Sequence, residues 1–513
     1  MSVLGIDLGT TYSCVARCDN RGRVEILMPQ DATDPSIPSV VSFEDDGTPF
    51  VGRKARNCLV SNSESAIEMV KREMNKEFCD KKVLIQGNRR RISPIEASAC
   101  ILHQLLYSAN KTLQLQYREK ETKKAVITVP AAFNDTQRER TRLAAEKAGI
   151  EVLALLQEPT AAAISYNIAN EETILVFDLG GGTLDVSIVK NSLGDYTVLG
   201  VPAGDLNLGG KDWDEALVSY VLKKNNIKPS SINRYGRVWA RLMQNAEVCK
   251  KELSDSFRST FHLEYNGKSE AIPISRFEFE LITADLVNRT IDIVKKAIFN
   301  AKNPPINRFV LVGGSSRMPM IQRALESTFT ATHANGRPIN EWLKVSDPDQ
   351  AIAKGAARYA GLLSKTSNID FGLKDKATHS YGFKCKKRGK VVVSNWIFAS
   401  DEIVVVDRKF TMLTTKDNQE TARIIIIEND SLDEVIDFKG QEPLLTKSFN
   451  LPKKSTKGTP IKFVLNRNKD GMINVSAKCK KRELSFDAKV LAEDYIIQQI
   501  ENSINKMKQK EEQ

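Results

Sequence analysis

One short sequence pattern occurs twice in this chain of 513 residues. In each copy an apolar run ends in an Asp-Leu-Gly triplet, beginning at Asp7 in the first copy and at Asp178 in the second. Small or hydroxyl residues follow each triplet, and then comes another run of alternating apolar residues. Apolar β-branched runs bounded by glycines predict strands, and two strands joined by a glycine-rich turn form a β-hairpin. The sequence therefore predicts two hairpins of the same design.

The residues of these turns favour a polyphosphate ligand. Glycines let backbone N–H groups converge on an anion, and an aspartate at the end of a strand can hold a hydrated divalent cation. Two such loops that face each other would hold a polyphosphate from both sides. The glycine loops of P-loop and dinucleotide-binding folds open into a helix, whereas both loops here open into a strand. This difference excludes the usual Walker and Rossmann interpretations.

Composition bounds the class of protein. A chain of this length has room for two to four domains, and 41% apolar with 27% charged residues is typical of globular proteins. No apolar stretch approaches the roughly 18 residues that a transmembrane helix needs, and the first strand begins at Val3, which leaves no space for a signal peptide. We therefore expect a cytoplasmic protein without a membrane partner.

Charge and cysteine usage give no further site. The net charge is +11, but the basic residues are diffuse and accompany no nucleic-acid motif, so a solvated basic face is expected and DNA is not. The 8 cysteines and 4 histidines are scattered and lack the spacing of zinc ligands. Free thiols are the expected state of the cysteines.

The pattern of apolar and polar residues changes along the chain. Up to residue 361, predicted strands alternate with longer helical patterns, as in an α/β domain. A polar segment at 362–376 is typical of a linker, and short alternating runs at 377–488 predict an all-β sandwich. The final segment, 489–513, carries apolar residues at helical spacing and predicts a short amphipathic helix with a fraying end.

Five motifs in a fixed order identify the family that this sequence resembles. Two hairpins that both open into strands point to the duplicated ATPase shared by actin, sugar kinases and heat-shock chaperones. Within that group, the chain resembles the DnaK-type heat shock protein 70 chaperones. The resemblance implies an actin-like (ribonuclease H-like) α/β ATPase domain, then an all-β sandwich substrate-binding domain and a short C-terminal helix. The motifs are 5–13, 129–135, 158–163, 177–183 and 311–315, and the resemblance continues in the β segment at 417–419 and 470–477.

The resemblance implies a function and a set of partners. The chain would be a monomeric chaperone that hydrolyses ATP to ADP and phosphate and binds extended apolar segments of unfolded polypeptides. A J-domain co-chaperone and a nucleotide exchange factor would assist it. One alternative is a non-enzymatic relative, ribosome-associated or regulatory, that binds ATP with little hydrolysis. A small-molecule kinase of the same superfamily is a second alternative, which leaves the β segment unexplained.

The resemblance also assigns the catalytic and metal-binding roles. Lys71 would stabilise charge on the transferring γ-phosphoryl group, and Glu158 would position water and metal. Asp7 and Asp178 would orient the water shell of Mg²⁺, next to Thr183. A potassium ion would lie near Tyr12 and Asp185. Without the resemblance, a lone lysine such as Lys71 is more often a solvated helix residue.

The nucleotide itself would lie between two walls. Glu247, Lys250 and Ser254 fall on one face of a predicted helix and would bind ribose and adenine. Family members usually carry arginine where Lys251 stands, and lysine stacks less well than a guanidinium, so weaker nucleotide binding is expected. The phosphate contacts would be Gly9, Thr10, Thr11, Tyr12, Gly180, Gly181, Gly182, Thr183, Gly209 and Gly210, and the opposite wall would be Gly313, Gly314, Ser315, Arg317 and Asp349.

Two further groups of residues would link the nucleotide to substrate. Pro130 and Arg138 match the positions through which the family couples nucleotide state to the substrate domain. Alternation places Ala422, Ile424 and Ile426 on one face of a strand, where they would line an apolar cleft for an extended peptide. Packing in the core of the sandwich explains the same alternation equally well.

Departures from the family pattern concern the linker and the lid. The linker contains Ile369, Phe371 and Leu373 in place of an acidic-flanked leucine run. This departure affects the segment through which the family couples its two domains. The helical segment after the sandwich is short, which reduces the lid to one helix at most, and the terminus lacks an acidic tail motif. A missing lid removes a slow gate on release, so weak and rapidly exchanging peptide binding is expected.

Overall fold

The computed structural model describes two compact units that are interleaved in sequence. Unit 1 comprises Met1–Ala132, Thr141–Gly372 and Glu493–Gln513, and unit 2 comprises Phe133–Arg140 and Leu373–Ala492. The structure describes residues 2–29, 34–85, 87–166, 171–330, 339–345, 349–365, 371–374, 376, 378–387, 389–399, 401, 405–467, 473–487 and 494–512. Ile369 of the predicted linker and part of the 470–477 motif lie outside these residues.

The strands of unit 1 follow the alternating apolar runs of the sequence. The first half contains β1 Val3–Asp7, β2 Tyr12–Cys18, β3 Val24–Ile26, β4 Ser36–Pro38, β5 Val41–Phe43, β6 Pro49–Val51, β7 Ala66–Ile67, β8 Lys82–Ile85, β9 Asn88–Arg91, β10 Lys124–Val129 and β11 Glu151–Gln157. The second half contains β12 Thr173–Leu179, β13 Leu184–Ser192, β14 Asp195–Asp205, β15 Arg258–Tyr265, β16 Lys268–Ser275, β17 Arg308–Val312 and β18 Leu343–Val345.

The helices of unit 1 begin and end where local signals predict. Ser93 accepts a hydrogen bond from Glu96 N at the start of the longest helix, with Pro94 in its first turn. Asn134 Oδ1 accepts from Gln137 N before α3, which ends shortly before Gly149. The helices are α1 Arg53–Ser61, α2 Pro94–Tyr117, α3 Asp135–Lys147, α4 Glu158–Tyr166, α5 Gly210–Lys224, α6 Arg237–Asp255, α7 Arg276–Ile282, α8 Ala284–Asn300, α9 Pro319–Phe329, α10 Ile339–Trp342 and α11 Ala351–Ser364.

The two large sheets of unit 1 have the same topology. The first has the strand order β11-β10-β1-β2-β3, and the second contains the order β18-β17-β12-β13-β14. In both, the central strand pairs in parallel on one side and antiparallel with the next strand of the chain on the other. The two central strands, β1 and β12, carry the repeated aspartates at their ends. The duplicated hairpins predicted from the sequence are therefore the centres of two related sheets.

Unit 2 is an antiparallel sandwich joined by the start of α3. The short strand β19 Leu373–Lys374 belongs to neither sheet of the sandwich. The strands of the sandwich are β20 Ser380–Lys387, β21 Lys390–Ile397, β22 Val405–Leu413, β23 Thr421–Asn429, β24 Val435–Asp437, β25 Leu445–Asn450, β26 Pro460–Arg467, β27 Ile473–Cys479 and β28 Arg482–Asp487. One sheet has the order β24-β21-β20-β23-β25 and the other β22-β26-β27-β28. Buried residues of both sheets form one core, which includes Phe383, Phe410 and Phe463.

The C-terminal helix, α12 Asp494–Glu512, is continuous and belongs to unit 1. Ile496, Ile500, Ile504 and Met507 are buried, and the helix lies against α2. Ser503 Oγ donates to the buried carboxylate of Glu96 at 2.6 Å. The predicted helix is thus confirmed, while the predicted fraying of its charged end is not seen as far as Glu512.

The linker region is partly helical. Helix α11 extends to Ser364, inside the segment 362–376 that the sequence assigns to a linker. Phe371 packs against the rings of Tyr196 and Tyr359, at centroid distances of 5.5 and 6.2 Å. In the described part of the chain, no helix is both long and apolar enough to cross a membrane.

Candidate nucleotide site

The two glycine loops meet in unit 1. The Gly180 N–H donates to Thr183 O at 3.0 Å, which closes the second loop on itself. A Cβ atom at Gly181 or Gly182 would collide with the side chains of Thr11 or Thr10 from the first loop. Only glycine allows this close approach, so the repeated sequence element brings two loops face to face, as predicted.

A cavity of about 710 Å³ opens at this junction. It is lined by both loops, by helix α6, and by the glycine turn after β17. Most of the predicted site residues line it. The exceptions are Asp185 on β13 and the pair Gly209 and Gly210, which support the second loop from behind through a Gly210 N–H bond to Gly180 O at 3.0 Å.

Buried carboxylates form the floor of the cavity region. Burial, followed by repulsion from Glu158, raises the pKa of Asp7 to about 7. The pKa of Asp185 is raised to about 7 by the same two causes. The pKa of Asp178 lies well above its usual value because of burial and the neighbouring carboxylates of Glu158, Asp185 and Asp7. These groups repel one another and would be stabilised by a cation.

The carboxylates fit a hydrated divalent cation. The Asp185 Oδ2 atom is buried and has no hydrogen-bond partner among the described residues. No set of three or more described His, Cys, Asp or Glu side chains is spaced to bind an ion directly. An ion held through its water shell meets both observations, and a magnesium ion prefers to keep such waters.

Lys71 is the cation of this acidic region. It is 5% exposed, forms an ion pair with Glu158, and donates to Leu8 O at 2.5 Å. Leu8 belongs to the first glycine loop and Glu158 begins α4. The lysine is therefore held by one loop and by the carboxylate predicted to position water, at the end of the cavity where the phosphates would lie.

Two further pairs of opposite charges line the cavity. Lys250 Nζ lies 2.7 Å from Asp214 Oδ1 and donates to Gly210 O at 2.8 Å. Arg317 and Asp349 form an ion pair at 2.7 Å, and both are more than half exposed. Lys250 is thus fixed inside the wall, whereas the Arg317 guanidinium stands at the rim, where a base could stack on it.

Glu247 is held between two cationic side chains. Arg56 donates to its Oε2 at 2.6 Å, and Lys251 donates to its Oε1 at 2.8 Å. Burial alone would raise the pKa of Glu247, but Lys211, Arg56 and Lys251 outweigh burial and lower it to about 2. The carboxylate is thereby kept ionised as a hydrogen-bond acceptor.

Comparisons with known proteins decide the family. The family description "Hsp70 protein" matches residues 3–513. A chaperone protein dnaK from Thalassiosira pseudonana is 34% identical over 507 residues, which cover 93% of this chain and 80% of that protein. This chain belongs to the Hsp70 family. It is accordingly an ATPase and an ATP-dependent chaperone, and the likeness seen in its motifs is confirmed.

Sequence reasoning missed several charged residues of this Hsp70 site. Arg56, Glu68, Lys211 and Asp214 all line the cavity. Each forms an ion pair with a residue distant in sequence, such as Arg56 with Glu247. The sequence offers no local signal for such pairs, because only the fold brings α1 and α5 beside α6.

The residues predicted to couple the domains lie in different units. Pro130 directly follows β10 in unit 1, while Arg138 is buried in unit 2 with the start of α3. In that part of unit 2, Asp135 pairs with Arg467 at 3.1 Å and its N–H donates to Glu428 at 3.2 Å.

The predicted peptide-binding residues all contact the core of the sandwich, and they differ in how deeply they are buried. Ile424 and Ile426 are 3% and 0% exposed and belong to the core between the sheets. Ala422 lies on the same face, at the start of β23, and is half-buried. The alternative of core packing therefore describes both isoleucines, and Ala422 packs against the edge of the same core while staying half-buried.

Proposed function

We propose that this Hsp70 chain hydrolyses ATP with the two glycine loops holding the phosphates and Lys71 stabilising charge on the γ-phosphoryl group. The close approach of Gly181 and Gly182 to the threonines of the first loop carries the proposal, because it brings both loops to one cavity where a single ligand could contact them. Glu158, paired with Lys71, would orient the attacking water. Positioning and electrostatic stabilisation of this kind are what phosphoryl transfer needs from a protein.

The cation roles fall to the buried carboxylates. Asp7 and Asp178 would hold Mg²⁺ through water, and the bound ion would neutralise charge on the phosphates. A potassium ion would use Asp185 and Tyr12. The Tyr12 hydroxyl already accepts a hydrogen bond from Arg56, so its contribution would come from its backbone carbonyl.

Removal of the Lys71 ammonium group tests its proposed role in hydrolysis. We expect Lys71→Ala to slow single-turnover ATP hydrolysis by about 100-fold or more, the loss seen when one preorganised electrostatic group is removed. The matched control is Lys124→Ala, an exposed lysine on β10, which should keep the wild-type rate. Hydrolysis at equal rates in both variants would show that Lys71 has no such role.

We further propose that unit 2 binds extended apolar segments of unfolded polypeptides weakly, with Ala422 as a direct contact. The packing of α12 on α2 supports weak binding, because the apolar face of this helix is already covered within unit 1. A J-domain protein and a nucleotide exchange factor would be partners of the whole chain. A non-enzymatic role is not favoured, since the family to which the chain belongs consists of ATPases.

A further inference from the structure

A second cavity lies between the two halves of unit 1. Its volume is about 430 Å³, and its walls come from the segment around residues 67–81 on one side and from α5 and α6 on the other. It shares Glu68 and Lys211 with the nucleotide cavity. The two cavities are therefore separated by a thin wall of side chains rather than by a packed core.

Consecutive residues of one short turn face the two cavities. Lys71 lines the nucleotide cavity, while Arg72 lines the second. Arg72 Nε donates to Gly182 O at 2.7 Å, and its NH2 group donates to Asp212 at 2.5 Å. Gly182 belongs to the phosphate loop, so the Arg72 side chain closes the second cavity directly behind the place where the phosphates would lie.

The rest of the wall is a loose ion pair. Lys211 Nζ and Glu68 lie 3.6 Å apart, beyond the distance of a strong charge-assisted hydrogen bond. Rotation of these two long side chains would connect the cavities without moving the backbone. This part of the wall is thus made of two side chains that can change rotamer without a movement of the backbone.

The second cavity offers the ammonium group of Lys81 to an anion that enters it. Its carboxylates Glu73, Asp80 and Glu215 are engaged with Lys76 and Arg234. Lys81 also lines the cavity, and no ion pair to it is seen among the described residues. Burial lowers the pKa of Lys81 despite Glu68 and Glu64, so its ammonium would be stabilised by an arriving anion.

We propose that the second cavity is an orthophosphate site through which the product phosphate leaves after ATP hydrolysis. The phosphate would pass from the Gly182 loop across the wall of Arg72, Lys211 and Glu68 and meet Lys81 on the far side. ADP would stay in the first cavity, because the wall opens only by the width of a few side chains. The inference rests on the proposed placement of the phosphates in the two loops.

Filling the second cavity tests the route. Ala240 of α6 lines it, so Ala240→Trp should block it, whereas Val248→Trp places the same bulk on an exposed face of the same helix. In the full chain we expect Ala240→Trp to slow phosphate release, followed with a fluorescent phosphate sensor, by about tenfold, as a barrier higher by about 1.4 kcal/mol does. Acid-quench hydrolysis rates should be equal in both variants. Release at the wild-type rate from Ala240→Trp would place the exit elsewhere.

Direct binding of inorganic phosphate supplies a second measurement that does not require turnover. Phosphate titrated into the ADP-bound chain, followed by phosphorus NMR, should bind several-fold more weakly to Lys81→Gln than to Lys124→Gln. Equal affinity in the two variants would overturn the orthophosphate site. If the unmodified chain failed to hydrolyse ATP, the proposed function would be wrong, and this titration would still decide the second cavity.

Discussion

At the scale of single residues, Glu247 shows how charge pairs organise the nucleotide site. Arg56 and Lys251 hold its two oxygens, and Lys211 adds a third positive charge nearby. Because Glu247 is 8% exposed, these charges act with little solvent screening. As a result, the Glu247 carboxylate stays ionised at pH values well below the usual pKa of a glutamate.

The lowered pKa of Glu247 makes a prediction about pH. A carboxyl whose pKa is about 2 in the folded chain and 4.5 in the unfolded chain stabilises the fold above pH 4.5 and loses this contribution as pH falls towards 2. We expect Glu247→Gln to lower the free energy of unfolding at pH 7 by on the order of 2 kcal/mol. The difference from wild type should shrink as the pH falls from 4.5 to about 2.

Urea unfolding at several pH values measures this difference. Glu270→Gln is the control, because Glu270 is an exposed residue of β16. Its difference from wild type should be small and should not vary in the same window. A Glu247→Gln difference that is independent of pH would contradict the ion-pair explanation.

At the scale of elements, the C-terminal helix is part of the ATPase unit. Its apolar stripe is buried against α2, and polar contacts such as Ser503 with Glu96 and Lys147 with Glu501 surround the stripe. By helical spacing alone, Ile497 also fits a stripe with Ile500 and Ile504, but the structure buries Ile496 instead. Neighbouring isoleucines fit the helical period almost equally, and only the position of α2 selects one.

Two isoleucines of this helix provide a matched pair of variants. Ile500 is fully buried, whereas Ile497 is half-buried. We expect Ile500→Ala to lower the free energy of unfolding by about 2–4 kcal/mol, since the truncation leaves a cavity at the interface with α2. Ile497→Ala should cost less than about 1 kcal/mol. Equal losses in urea unfolding would mean that the helix does not pack as described.

At the scale of the whole molecule, the open question is how ATP hydrolysis relates to peptide binding. The ATPase unit contains both glycine loops, and the sandwich contains Ala422. Unit 2 also contains the start of α3 with Arg138, so one helix has residues in both units. Whether peptide and nucleotide binding influence each other is therefore a matter for measurement.

Peptide exchange tests the proposed weak binding. We expect a fluorescent unfolded peptide to dissociate rapidly from the ADP-bound chain, because the apolar face of α12 is engaged within unit 1 and is not free to act as a slow gate on release. Fluorescence anisotropy measures the rate, and Ala422→Asp should weaken binding further. Slow dissociation in the ADP state would contradict the proposal, and stimulation of single-turnover hydrolysis by the peptide would show that the units are coupled.

Much of the fold could be predicted from local patterns. The hairpins at Asp7 and Asp178 and the helix that carries Glu247 lie where the apolar patterns predict them. Patterns of this kind are local, because a few neighbouring residues decide them. Core membership in the sandwich was harder to predict, since the alternation at Ile424 and Ile426 fits a cleft and a core alike.

The duplicated hairpins and the order of the motifs, and through them the family, can be recognised in the linear chain. These features consist of contiguous residues, so they can be recognised without knowledge of the fold. The tertiary structure decided which charges meet. Arg56 with Glu247, Arg72 behind Gly182, and α12 on α2 join residues far apart in sequence, and their energies depend on burial and distance that only the folded chain sets.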